Sequence, residues 1–135
     1  MKLSGIAAAS LFCLSAAASA VDMPHVINIM TTNGASMATG KRLPVQSFAQ
    51  SDFVVQLTDF AWDNPEDNGG AHMVEWRWYR DGQLISKTAK KLDFNSTPYT
   101  IWTRRAASTL GAGHIRIEAV VDGSVVAESD VEIKP

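Results

Sequence analysis

VEWRWYRDGQLI, residues 74 to 85, alternates Val74, Trp76 and Trp78 with Glu75, Arg77 and Tyr79, then runs into the pair Asp81-Gly82. A two-residue period puts alternate side chains on opposite faces of a strand. The two tryptophans therefore share one face, and Arg77 and Tyr79 share the other. Asp-Gly supplies the positive backbone angles of a tight hairpin turn, so QLISKTAKKL is expected to return as the partner strand.

The same pattern recurs on both sides of this stretch. In HIRIEAVVDG, Ile115, Ile117, Ala119 and Val121 share one face while His114, Arg116 and Glu118 share the other, and Asp122-Gly123 turns the chain into SVVAESDVEI. Upstream, DFVVQLTDFAW and HVINIMTTNGASM read as strands. Downstream, PYTIWTRR sets Tyr99, Ile101 and Thr103 opposite Thr100, Trp102 and Arg104. About seven short strands separated by turn signals define an all-β antiparallel sandwich. No segment carries a sustained helical period; Arg105 to Leu110 has room for a single turn before Gly111 and Gly113.

Residues 1 to 20, MKLSGIAAASLFCLSAAASA, have the make-up of a secretory signal peptide: one lysine, a short apolar run, and the small-residue end Ala18-Ser19-Ala20. The apolar run is too short to span a membrane. The remaining 21–135 is expected to form one sandwich domain in a periplasm or outside the cell. The single cysteine, Cys13, lies in the leader, and the residues before it lack the small side chain that lipoprotein processing needs. Such a domain holds together without a disulfide, through its core alone. Loss of Lys2 would take the formal charge from −2 to −3. That mild acidity offers no footprint for nucleic acid, and no later apolar run is long enough for membrane insertion.

Trp78-Tyr79-Arg80-Asp81-Gly82 resembles the W-Y-[KR]-D-G run that ends strand C of immunoglobulin-like domains, and Gly113-His114-Ile115-Arg116-Ile117 resembles the start of strand F. The resemblance implies that Trp78 is the core tryptophan, that Ile117 stands where the disulfide cysteine would be, and that Ile115 replaces the corner tyrosine. With neither cysteines nor that tyrosine, the chain is similar to bacterial immunoglobulin-like modules whose inter-sheet contact is wholly apolar. Trp76-Arg77-Trp78-Tyr79, Trp102-Thr103-Arg104 and Gly113 to Val121 also resemble an uncharacterised family of exported bacterial domains with no established activity. On this footing the tryptophan face meets the opposing sheet, where burying such an aromatic stabilises by on the order of 2 to 3 kcal/mol. Trp78 becomes a core pin and Trp76 its neighbour in the same layer.

The loop 59–72, DFAWDNPEDNGGAH, gathers Asp59, Asp63, Glu66 and Asp67 with asparagines and glycines. Alternating oxygen ligands before a glycine are the pattern of calcium loops. Here Asp63 and Asp67 hold ligand places, but Pro65 between them has no side-chain oxygen and no bidentate glutamate follows. A solvated acidic loop is the favoured reading, with a calcium site or a metal-dependent enzyme as the alternative. His25, His72 and His114 stand far apart in the sequence, without the spacing of zinc or copper ligands. No serine sits in a G-x-S-x-G or S-x-x-K context, so no catalytic residue is assigned.

Surface recognition remains. Arg77, Tyr79, Trp102 and Arg104 are the candidate binding residues, and Trp62 is a further aromatic to weigh against the core tryptophans. If Tyr99 and Ile101 point inward, Trp102 is exposed beside Arg104; if Trp102 packs inward, Ile101 covers an edge. The expected function is an exported, non-catalytic binding or accessory module of the cell envelope, with a protein partner preferred. Cell-wall glycan binding through exposed aromatics is the alternative.

Overall fold

The computed structural model describes residues 23–135; the leader expected over 1–20 lies outside them. In chain order the elements are β1 (His25–Asn33), α1 (Gly34–Ala38), β2 (Ser47–Phe48), β3 (Phe53–Ala61), β4 (Gly70–Arg80), β5 (Gln83–Phe94), β6 (Tyr99–Ala106), α2 (Ala107–Leu110), β7 (Gly113–Val121) and β8 (Ser124–Ile133). They form two sheets, ordered β1-β3-β6 and β2-β8-β7-β4-β5. Every pairing is antiparallel except β2 with β8.

Seven of these strands answer to the alternating stretches of the sequence. The eighth, β2, is two residues long and pairs Ser47 with Glu132 and Phe48 with Ile133. Two residues show no periodicity, yet Phe48 is fully buried. The helix α1 replaces the end of the expected first strand. Asn33 caps it, its side-chain oxygen accepting from the Ser36 N–H at 2.8 Å, as asparagine commonly does at such a position. The possible turn after Arg105 is α2, shorter than expected because Arg105 and Ala106 still belong to β6.

Both Asp-Gly pairs turn as read: Asp81 and Gly82 have φ of 48° and 85°, and Asp122 and Gly123 have 49° and 87°. Two consecutive positive φ values match the twist of the strands they join. Register then aligns Trp78 with Ile117 and Trp76 with Ala119 across β4 and β7, with all four buried.

The interior divides into two apolar clusters. Trp78 packs with Phe48, Val54, Leu110, Ile115, Ile117, Val131 and Ile133. Trp76 belongs to the other, with Phe60, Trp62, Val74, Phe94, Ile101 and Ala119. Trp76 thus shares the inward face of Trp78 but not its packing layer. On β3 the inward residues Val54 and Phe60 belong to opposite clusters, and Gln56 and Thr58 lie between them. Gln56 donates from Nε2 to the Ile117 carbonyl at 3.1 Å and to Ser129 Oγ at 2.9 Å, which pairs the buried amide nitrogen, while its Oε1 has no partner among the described residues.

Candidate functional site

β5 and β6 end their respective sheets, so one side of the sandwich is bounded by two strands with no outer neighbour. Between them lies a cleft of about 630 Å³ whose lining includes Trp76, Thr88, Lys90, Leu92, Tyr99, Ile101, Trp102, Arg104 and Arg105. Register decides which side chains enter it. Lys90 pairs with Val74 and Thr88 with Trp76, so both take the inward face of β5. Lys87 and Lys91, paired with Arg77 and Met73, take the outward face. On β6, Ile101, Thr103 and Arg105 oppose Thr58, Gln56 and Val54 and point inward, while Trp102 and Arg104 oppose Leu57 and Val55 and point outward.

Ile101 is buried and Trp102 is 52% exposed. That settles the orientation of β6 that its sequence leaves open. Arg104 lies over the Phe53 ring at 4.7 Å, a favourable cation–aromatic distance. Arg105 crosses toward β5, donating from Nε to Ser86 Oγ at 3.2 Å, with its guanidinium carbon 5.9 Å from the Trp78 ring.

The stretch 83–106 contains five basic residues, Lys87, Lys90, Lys91, Arg104 and Arg105, and one acid, Asp93. Its net charge of +4 sits in a chain whose total is −2, leaving −6 for the remainder. Among the described residues none of these five cations forms an ion pair. This open edge is the electropositive part of the molecule.

Arg77 and Tyr79 are elsewhere. They lie on the outer face of the five-stranded sheet, whereas Trp102 and Arg104 lie on the outer face of the other sheet, so the four candidate residues form no single patch. Arg77 is paired with Glu75 and lies 4.0 Å from Glu118. Tyr79 donates to Glu118 at 3.1 Å, and the Arg116 guanidinium covers its ring at 4.3 Å. Arg116 in turn approaches Glu118 and Glu128 at 3.5 and 3.7 Å. These groups satisfy one another.

The acidic loop is shorter than its sequence suggests, because β3 runs to Ala61 and β4 starts at Gly70. Asp59 is a strand residue, nearly buried. It accepts from Thr100, from Asn28 Nδ2 at 3.1 Å and from Arg42 at 2.8 Å. Burial pushes its pKa up, but the hydrogen bonds from Thr100 and Asn28 and the Arg42 charge outweigh this and hold it below the ordinary 3.8.

Trp62, weighed above as a surface aromatic, is 4% exposed. Its Nε1 donates to the Asp67 carbonyl at 2.8 Å, drawing the loop over the core. Asn64 and Asn68 accept from the N–H groups of Glu66 and Gly70 at 3.1 and 2.8 Å, short-range bonds of the kind that shape turns. Asp63 and Asp67 sit in this clasp, and among the described residues no three His, Cys, Asp or Glu side chains come close enough to share a metal ion.

The histidines are separate from one another. His114 lies 3.0 Å from Asp130. His72 packs on Phe94 and has an acceptor at each ring nitrogen: Asp122 Oδ2 at 2.6 Å from Nδ1 and the Gly69 carbonyl at 2.7 Å from Nε2. Only the doubly protonated imidazolium donates at both nitrogens. Burial lowers its pKa, while the bonds to Asp122 and Gly69 and the Asp122 charge overcome that and raise it above 6.5.

No family model matches the chain, and no curated protein matches it. Among solved structures, an immunoglobulin-like protein from Pseudomonas aeruginosa superposes with a TM-score of 0.58 at 10% identity, covering 86% of this chain and 100% of that one. An alkylpurine DNA glycosylase from Pseudomonas fluorescens, bound to DNA containing an abasic site analogue, gives 0.56 at 8% identity over 84% of this chain and 31% of that one. A CARDB domain from Pyrococcus furiosus gives 0.41 at 13% identity over 84% and 98%. The class is therefore defined: an all-β, immunoglobulin-like sandwich, in agreement with the resemblance at Trp78 and Ile117. At these identities the likeness is one of fold.

Lys90 and Arg105 are the cleft residues that strand reading passed over. Their signal was the concentration of Lys and Arg in 83–106 against an otherwise acidic chain. Strand patterning does not join β5 to β6 across the opening, since they belong to different sheets. No helix among the described residues is long and apolar enough to cross a membrane.

Proposed function

We propose that this protein is an exported, non-catalytic binding module of the cell envelope that engages a protein partner through the open edge between β5 and β6. The observation that carries the reading is the set of five cations on β5 and β6 without carboxylate partners among the described residues, three of which, Lys90, Arg104 and Arg105, line the cleft beside a half-exposed tryptophan. Charged groups with no carboxylate partner are available to steer and orient a complementary surface, whereas the Arg77–Glu118 network is neutralised within itself. The immunoglobulin-like fold fits an accessory module; sandwiches host many functions, so the site rather than the fold bears the argument.

Capture from an envelope extract tests it. The immobilised protein should retain a reproducible companion, and Lys90→Glu with Arg104→Glu should release it while leaving the thermal midpoint within a few degrees. Equal retention by the double variant would remove the cleft from the reading.

Glycan binding is the second reading, favoured by the exposed ring of Trp102 next to Arg104. It predicts that a cell-wall polysaccharide column retards the protein and that Trp102→Ala abolishes the retardation without unfolding.

A further inference from the structure

We infer that the ligand of the β5–β6 cleft is an extended acidic polypeptide segment that adds to β6 as a fourth strand of the three-stranded sheet; this rests on the binding-module reading above. The backbone supplies the first argument. Among the described residues no backbone-to-backbone hydrogen bond outside the sheet ladders starts or ends on 83–93 or 99–106. The outer edge of β6 therefore has no backbone partner along an 8-residue strand, a length of about 26 Å at roughly 3.3 Å per residue; the Arg104 carbonyl accepts from Arg105 Nη1 at 3.0 Å, a side-chain bond that an incoming strand would have to displace or share. A polypeptide matches that ladder because it repeats donors and acceptors at the same spacing. A glycan has no such repeat.

The side chains supply the second argument. A strand laid against β6 alternates its own side chains between two environments. One set lies on the outer face beside Trp102 and Arg104. The other enters the cleft, which is lined by Lys90 from β5 and Arg105 from β6, the latter nearer Ser86, together with the apolar Ile101 and Trp76. Cations stand on both sides; the single acid of this stretch, Asp93, opposes Ala71 on the outward face of β5, and Asp59, which accepts from Thr100 on the outer face of β6, is paired with Arg42 at 2.8 Å. An acidic segment with apolar residues between its carboxylates meets both environments, and a basic one meets repulsion on both.

The test is fluorescence anisotropy with a labelled ten-residue peptide alternating Glu and Val, its Lys and Val counterpart, and the acidic peptide N-methylated at alternate residues. Polygalacturonate serves as a polyanion without an amide backbone. The acidic peptide should bind saturably and more weakly as salt rises, the basic one should not bind, and N-methylation or Lys90→Glu with Arg104→Glu should each weaken binding by roughly tenfold or more. Equal binding of the N-methylated peptide, or tighter binding of polygalacturonate, would overturn strand addition. No binding of any acidic peptide would overturn it too, leaving the lysines as protection of an exposed sheet edge. Should the envelope companion still be lost on mutation of the cleft while the peptides fail, the module reading stands and the acidic-strand inference alone falls.

Discussion

Trp78 and Trp102 show how far one residue type can differ in role. Trp78 is fully buried against Ile117 and Leu110, so Trp78→Ala should cost about 3 to 5 kcal/mol in a urea or guanidinium titration. Trp102→Ala, at half exposure, should cost roughly 1 kcal/mol or less in the same measurement. His72 is the other residue whose surroundings decide its behaviour. Its folded pKa is raised above 6.5, so its stabilising contribution is complete below pH 6.5 and is lost as pH rises through the folded value. Thermal midpoints should accordingly fall between pH 6 and pH 8, and Asp122→Asn should flatten that part of the profile. A midpoint independent of pH over this range would contradict a charged His72–Asp122 contact.

Elements are held in place by contacts that their own periodicity does not contain. Gly69, between Trp62 and the start of β4, is one such point: a Cβ there would stand 2.8 Å from the Trp62 ring and 2.9 Å from Phe94 Cβ. Gly69→Ala should therefore destabilise by about 1 to 3 kcal/mol through overpacking, measurable by chemical denaturation. Asp59 joins β1 through Asn28, β6 through Thr100 and the segment before β2 through Arg42. With its pKa held below 3.8, its contribution is present above that value and is lost as pH falls through the lower folded one. Asp59→Asn should lower the thermal midpoint near pH 6 and make its decline between pH 5 and pH 2 shallower. The same aspartate shows why the acidic stretch misleads on paper. Asp59 and Asp63 are four positions apart in a stretch that reads as one acidic loop, yet the strand ends between them at Ala61.

At the scale of the whole molecule, charge is polarised: the β5–β6 opening carries an excess of cations and the rest of the chain an excess of carboxylates. The mild net charge conceals this, because a sum carries no direction. The sequence by itself determined the sandwich. Alternation marked seven strands and the Asp-Gly pairs set two hairpins, both of which rest on local backbone geometry; the core positions of Trp78 and Ile117 followed from the resemblance to immunoglobulin-like domains. Beyond the reach of periodicity were β2, too short to alternate, and α1, whose signal is one capping asparagine. Tertiary structure decided that Trp62 is interior, that Arg77 and Tyr79 are engaged by glutamates on a face remote from Trp102, and that Lys90 and Arg105 line one cleft. The physical reason is common to all three. Each depends on which strands become neighbours across the two sheets, and that pairing is chosen by the packing of the core as a whole.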